Sequence, residues 1–188
     1  ATLAWMGWTV PPGTPDVLLH YSEDRGIDAF EPHVPRTNPG VAPAVWAIDP
    51  EHAPLYWFPR ACPRVAVWAG DREQRRLLHE RFATTSERLQ ATTPGWADAM
   101  LSCELYEYRL DPAPFVAWPE AEGQWIARER VVPESVQQVG DLVDRHRSAG
   151  IELRFADDLE GLRALVVTSG LPFSIVRFGP GSEMRAPG

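Results

Sequence analysis

The apolar segments of this chain are short, unevenly spaced and never repeated, and that restricts the folds open to it. Runs such as "AVWAI" and "ALVV" fall far below the ~18 residues a membrane span needs. Strand patterns at Val17–Tyr21, "AVWAID", "RVAVWA", "CELYEYRL", "FVAW", "QWIAR", "IELRF" and "FSIVRF" lie among helical stretches of unequal length. No βα repeat and no internal period organises them, which points to α+β rather than a doubly wound sheet. A chain of 188 residues has room for one sizeable domain. The expectation is therefore a single α+β domain over 17–178. A mixed or antiparallel central sheet of short strands is flanked by helices, with an irregular arm over 1–16 and a frayed tail over 179–188.

Local signals place the helices. Asp49 can cap a helix that Pro50 starts, "PEHAPLYWF", and Pro59 stops it. Asp71 opens "DREQRRLLHERF", with Leu77, Leu78 and Phe82 on one face and arginines around the rest. "GWADAMLS", "GDLVDRHRSAG" and "DLEGLRALVVTSG" read as further helices, and Gly150 and Gly170 stand where helix C-caps want them. Four prolines in residues 31–43 make that stretch a surface loop.

Charge and cysteine usage exclude several classes of function. The net charge is −8 and every cation is an arginine, an absence of lysine that a GC-rich genome explains. An acidic chain argues against nucleic acid as the main partner, and a lysine-free one has neither Schiff-base chemistry nor a P-loop lysine. Cys62 and Cys103 are too few for a disulfide framework or a four-cysteine zinc site, so two free, buried thiols in a reducing cytoplasm are expected. The N-terminal stretch has no basic region and no continuous apolar core of a secretory signal. The five histidines have no HxxxH or HxxEH spacing, so no metal is expected, and no membrane partner.

Three segments concentrate chemistry. In "VLLHYSEDRGIDAFEP" an apolar strand ends on His20, and period two puts His20 and Ser22 on one side, where a cleft could use them. A histidine bonded to a neighbouring loop, with Ser22 capping a turn, accounts for the same residues. "WAIDPEHAPLYWFPRACPR" packs His52, Tyr56, Trp57, Arg60, Cys62 and Arg64 into thirteen positions. On a helix His52 and Tyr56 share a face, the aromatics can stack on a flat ligand, and an arginine can meet an anion bidentately. An aromatic core helix is the bland alternative, and a Cys62–His nucleophile has no supporting context. In "EAEGQWIARERVVP", Glu122 and Gln124 stand at a strand entrance where an acid or amide could orient a hydroxyl. Glu104 and Glu107 are expected to be exposed.

The segments "LLHYSEDRGIDAFEP", "PAVWAIDPEHAPLYWFPRACPRVAVW", "QWIARERVVP" and "GLPFSIVRF" resemble a family of small bacterial proteins designated DUF6886, a label that carries no activity. More distantly, the first strand with its histidine, a second strand of the "V-[YW]-A-x-D" kind leading to an aromatic, and a late strand starting on Glu or Gln are similar to the ADP-ribosyltransferase-like superfamily. That resemblance implies an NAD substrate. By it His20 bonds the ribose, with Ser22 beside it, and Tyr56 packs on nicotinamide. Gln124 stands where an acid orients the ribose hydroxyl, or Glu122 serves instead. Trp57 and Phe58 are both candidates for a second aromatic. Gln124 departs from the pattern, since an amide stabilises an oxocarbenium-like transition state less than a carboxylate.

Three functions follow as alternatives. The chain is an ADP-ribosyltransferase-like enzyme or binder of NAD or a nucleotide. It is a non-catalytic small-molecule or peptide-binding module with an aromatic pocket anchored by Arg60 or Arg64. Or it is an interaction protein with an aromatic surface. Oligomeric state is not legible in the sequence.

Overall fold

The computed structural model describes residues 13–35 and 40–178, so most of the expected arm and the whole expected tail lie outside the described residues. The elements in chain order are β1 (Leu18–Ser22), β2 (Val45–Ile48), β3 (Arg64–Trp68), α1 (Arg72–Phe82), β4 (Arg88–Thr92), α2 (Ala97–Ser102) and β5 (Tyr106–Leu110). There follow β6 (Val116–Ala117), β7 (Gln124–Ala127), β8 (Ser135–Gln138), α3 (Leu142–Ser148), β9 (Glu152–Phe155), α4 (Leu159–Val167) and β10 (Phe173–Val176). The chain is an α+β domain. In place of one central sheet there are two, ordered β6-β7-β2-β1-β5-β8 and β10-β3-β4-β9.

Two compact units divide the chain. The first comprises the stretch ending at His20 together with Gly26–Ala53 and Tyr108–Val136. Here β2 pairs antiparallel with both β1 and β7, and β7 with β6. Leu19, Ile48 and Gln124 stand in one row across β1, β2 and β7, and Ala47 faces Trp125 in the next. Leu18, Val45, Tyr108, Leu110 and Ala127 are almost wholly buried. The loop after β1 is tied down by the bridge Phe30↔Val131 and by the Ile27 amide, which donates to the Tyr108 hydroxyl at 3.2 Å.

The second unit, Tyr21–Arg25, Pro54–Glu107 and the chain from Gln137 on, contains the whole four-stranded sheet. The β10–β3 and β3–β4 pairs are antiparallel and β4–β9 is parallel. Period two gives this sheet two different faces. Val65, Val67, Leu89 and Ala91 pack with Leu78 and Phe82 of α1 and Leu159 and Val166 of α4. A fully buried leucine or phenylalanine at such a position contributes roughly 1.5–3 kcal/mol. The opposite face carries Gln90 and Thr92, both buried, which need partners; Gln90 meets His146 of α3 at 3.1 Å and Thr92 donates to the Pro63 carbonyl at 2.7 Å. A second apolar cluster gathers Trp57, Phe58, Cys62, Trp96, Met100, Leu105 and Leu142.

Caps behave as the local chemistry demands. Asp71 accepts from the Gln74 amide at 2.8 Å and starts α1, and Gly150 and Gly170 have φ of 70° and 76° after α3 and α4. The expected helix over Pro50–Phe58 does not form as an α-helix. A turn over 50–52 precedes a 3-10 stretch at Ala53–Tyr56, because Pro54 and Pro59 leave too few donors between them for an α-helical ladder. Asp49 still caps, its Oδ1 accepting from the His52 amide at 2.8 Å.

Candidate functional site

In the first unit His20 is half-buried on β1. A carbonyl can only accept, so its Nδ1, 2.9 Å from the Trp46 carbonyl of β2, carries a proton. The ring tilts against Phe30 at 4.5 Å, fixing its plane. Gln124 opens β7 in the row of Ile48 and Leu19, so the pleat puts it on the sheet face opposite His20, while Trp125 and Ala47 share the face of His20. Glu122 is exposed in the turn that precedes β7.

His52 is buried and belongs to a different arrangement. Its Nδ1 and its backbone amide both meet Asp49 Oδ1 at 2.8 Å. That bond raises the imidazole's pKa against the opposing effect of burial, with Asp49, Glu51 and Glu122 adding their charge. Burial alone would raise the Asp49 carboxyl; the hydrogen bonds and charge of His52 outweigh it and hold the carboxyl low. Gly123, at φ 79°, lies flat against this ring, and its carbonyl accepts from the Asp49 amide at 2.9 Å. The helical pairing of His52 with Tyr56 is absent, since no α-helix spans them.

In the second unit Tyr56 stacks parallel to Tyr21 at 6.3 Å. Trp57 is buried, and its Nε1 donates to the Tyr21 hydroxyl at 3.2 Å. That hydroxyl donates in turn to Glu107 Oε2 at 2.6 Å, while Gln137 Nε2 donates to Oε1 at 2.8 Å. Arg145 reaches Oε2 at 3.3 Å and lies over the Trp57 ring at 4.5 Å. Glu107 is therefore buried at 4% exposure, contrary to the expectation that it faces solvent. Burial, and next the bond to Glu107, push the Tyr21 phenol well above its ordinary pKa, so it stays a donor. Sequence reasoning passed over Tyr21, Glu107 and Arg145. The one local signal was a carboxylate between two tyrosines on a strand.

The remaining candidates disperse. Ser22 Oγ accepts from the Asp24 amide at 3.1 Å, the capped turn of the bland reading. Arg60 is exposed, and its backbone amide donates to Glu23 Oε1 at 2.7 Å. Arg64 is buried against the rings of Tyr56 and Phe58. Cys62 is no activated nucleophile: burial pushes its thiol up to about 11 despite the Thr92 hydroxyl at 3.1 Å. Cys103 is half-buried rather than buried, and both thiols are free. Among the described residues no three His, Cys, Asp or Glu side chains group as a metal site, and no helix is long and apolar enough to cross a membrane.

The chain belongs to DUF6886, a family of unknown function whose model matches residues 19–180. No curated protein and no solved structure matches it.

Proposed function

We propose that the chain is an ADP-ribosyltransferase-like protein that binds NAD or a closely related nucleotide, with His20 as the ribose contact. The observation that carries this reading is the adjacency of β7, β2 and β1, the three strands bearing the motifs of that resemblance. It is supported by the ring of His20, which the Trp46 carbonyl at 2.9 Å from Nδ1 and the Phe30 ring at 4.5 Å orient on β1. Glycosidic cleavage is less well supported than binding. Gln124 is an uncharged amide in a row on the opposite face from His20, and neither property suits it to stabilise a developing cation. Two free thiols suit the reducing cytoplasm where such nucleotides abound.

The test is a calorimetric titration with NAD, with nicotinamide release followed in the same samples. Saturable binding in the millimolar range or tighter, weakened about tenfold in His20→Ala, is expected. No binding at millimolar NAD, or a His20→Ala variant that binds equally well, would remove the proposal.

A further inference from the structure

Glu107 is the fixed half of an ion pair whose other half is loosely held. Its side chain is only 6% exposed, and neighbours engage both carboxylate oxygens, the Tyr21 hydroxyl at 2.6 Å from Oε2 and the Gln137 amide at 2.8 Å from Oε1. The Arg145 side chain that pairs with it is 33% exposed. One terminal nitrogen of that arginine meets Oε2 at 3.3 Å, where a forked arginine–carboxylate contact makes two bonds of about 2.7–2.9 Å. Its Nε is buried and donates to nothing among the described residues, so a desolvated N–H stands uncompensated. Burial thus divides the pair into a rigid anion on β5 and a cation on α3 that solvent reaches.

The surroundings suit a planar cation. The Arg145 guanidinium carbon lies 4.5 Å from the centroid of the Trp57 ring, within reach of cation–π attraction. Trp57 is itself buried and anchored, its Nε1 donating to the Tyr21 hydroxyl at 3.2 Å. An aromatic face and a carboxylate, tied to each other through one tyrosine, therefore hold their places by bonds that do not involve Arg145. A guanidinium lies flat on the indole and turns an edge to the carboxylate, a pair of contacts that a compact ammonium matches less well.

We propose that Trp57 and Glu107 form a guanidinium-binding site that Arg145 occupies from within, and that an arginine side chain of a partner peptide takes when Arg145 swings into solvent. The incoming group keeps the buried carboxylate paired, so the exchanged state carries no uncompensated charge. Every residue invoked lies in the second unit, so the site does not depend on the His20 proposal.

The site is tested with N-acetyl-arginine amide as the probe and N-acetyl-citrulline amide, its uncharged counterpart of similar shape, as the control. Both are titrated into the full chain at fixed ionic strength, with binding and the melting temperature followed together. In Arg145→Ala the arginine probe should bind saturably, at ~10 mM or tighter, and raise the melting temperature, with the citrulline derivative inert. The parent chain should bind the probe about tenfold more weakly, since Arg145 must first leave. Arg145→Ala strands a buried charge; should the variant be unfolded in buffer, the probe is expected to restore its melting transition. Adding Glu107→Gln removes that charge too, and this double variant should fold and no longer take the probe. The proposal is overturned if the probe neither binds nor refolds Arg145→Ala, or if the citrulline derivative binds as tightly. It is equally overturned if the double variant keeps its affinity, or if the parent chain shows no binding up to ~100 mM.

Discussion

The phenolic hydroxyl of Tyr21 donates to the carboxylate of Glu107 across 2.6 Å, joining two residues 86 positions apart. The acceptor is almost wholly buried, and Gln137 and Arg145 take up its remaining capacity. A buried carboxylate is tolerated only when its lone pairs are used, so the three donors act as a set. Trp57 closes it, donating to Tyr21 and receiving the Arg145 guanidinium on its ring.

Removing either end of this pair has unequal consequences. Tyr21→Phe deletes one donor and leaves Glu107 with Gln137 and Arg145, a loss of about 1–2 kcal/mol. Glu107→Ala strands Tyr21, Gln137 and the part-buried Arg145 together, and about 3 kcal/mol is expected. Urea unfolding of both single variants and the double variant checks the order. A double variant no worse than Glu107→Ala is the expected sign of coupling, and simple additivity would contradict it.

This network also marks where sequence reading stops. The alternation in "CELYEYRL" correctly gave a strand, and Tyr108, Arg109 and Leu110 follow buried, exposed, buried in turn. Glu107 breaks the pattern because residues 86, 30 and 38 positions away supply its partners, and no local period encodes them. The α+β class was legible from the irregular spacing of elements. The split into two sheets was not, since strand pairing is decided by which faces bury against which helices. His20 was singled out as the expected end of an apolar strand, a local property, whereas β1 runs on to Ser22 and places it mid-strand. The Pro50–Phe58 segment failed as an α-helix through its own prolines, and the Asp49–His52 pair then formed by the close spacing of a turn.

Gly123 is held by that pair. Its φ of 79° suits glycine, and a Cβ built there would collide with the His52 ring. Gly123→Ala is expected to destabilise the fold by roughly 2 kcal/mol or more, combining backbone strain with displacement of a buried ring. A thermal melt of the variant checks it, and a melting temperature within 1 °C of the parent's, about 0.3–0.5 kcal/mol, would show that the contact is easily relieved.

The two free thiols should be silent in the native state. Burial, then the Glu23 carboxylate, push Cys103 up to about 12, while Cys62 stands at about 11, so neither is appreciably ionised near pH 8. Alkylation at that pH should be far slower than for an ordinary thiol of pKa about 8.5. Cys103, the less buried, reacts first. Adding urea should release both thiols at the unfolding midpoint, which mass spectrometry can follow. Rapid native labelling of Cys62 would mean that its packing against Thr92 opens readily.

His52 and His146 give stability opposite dependences on pH. Burial lowers the pKa of the fully buried His146, against a smaller raising effect of the Leu142 carbonyl 2.6 Å from its Nδ1. The neutral ring is thus the favoured folded form, with Nδ1 donating to the Leu142 carbonyl and the Gln90 side-chain amide 3.1 Å from Nε2. Below the unfolded value of about 6.5 the unfolded chain binds the extra proton first, so this contribution is present above that pH and lost as pH falls toward the lower folded value. His52, raised by Asp49, works the other way: its contribution is complete below about 6.5 and disappears as pH rises through the higher folded value. Urea midpoints measured from pH 5 to 8 separate the two. In His52→Gln stability should climb with pH across the lower half of this range, because the contribution of His146 then stands without the opposing one of His52. In His146→Gln it should decline across the upper half, because the contribution of the Asp49-bound ring then stands without the opposing one of His146. Profiles of the two variants with the same slope would mean that carboxylates elsewhere, not these rings, set the pH response.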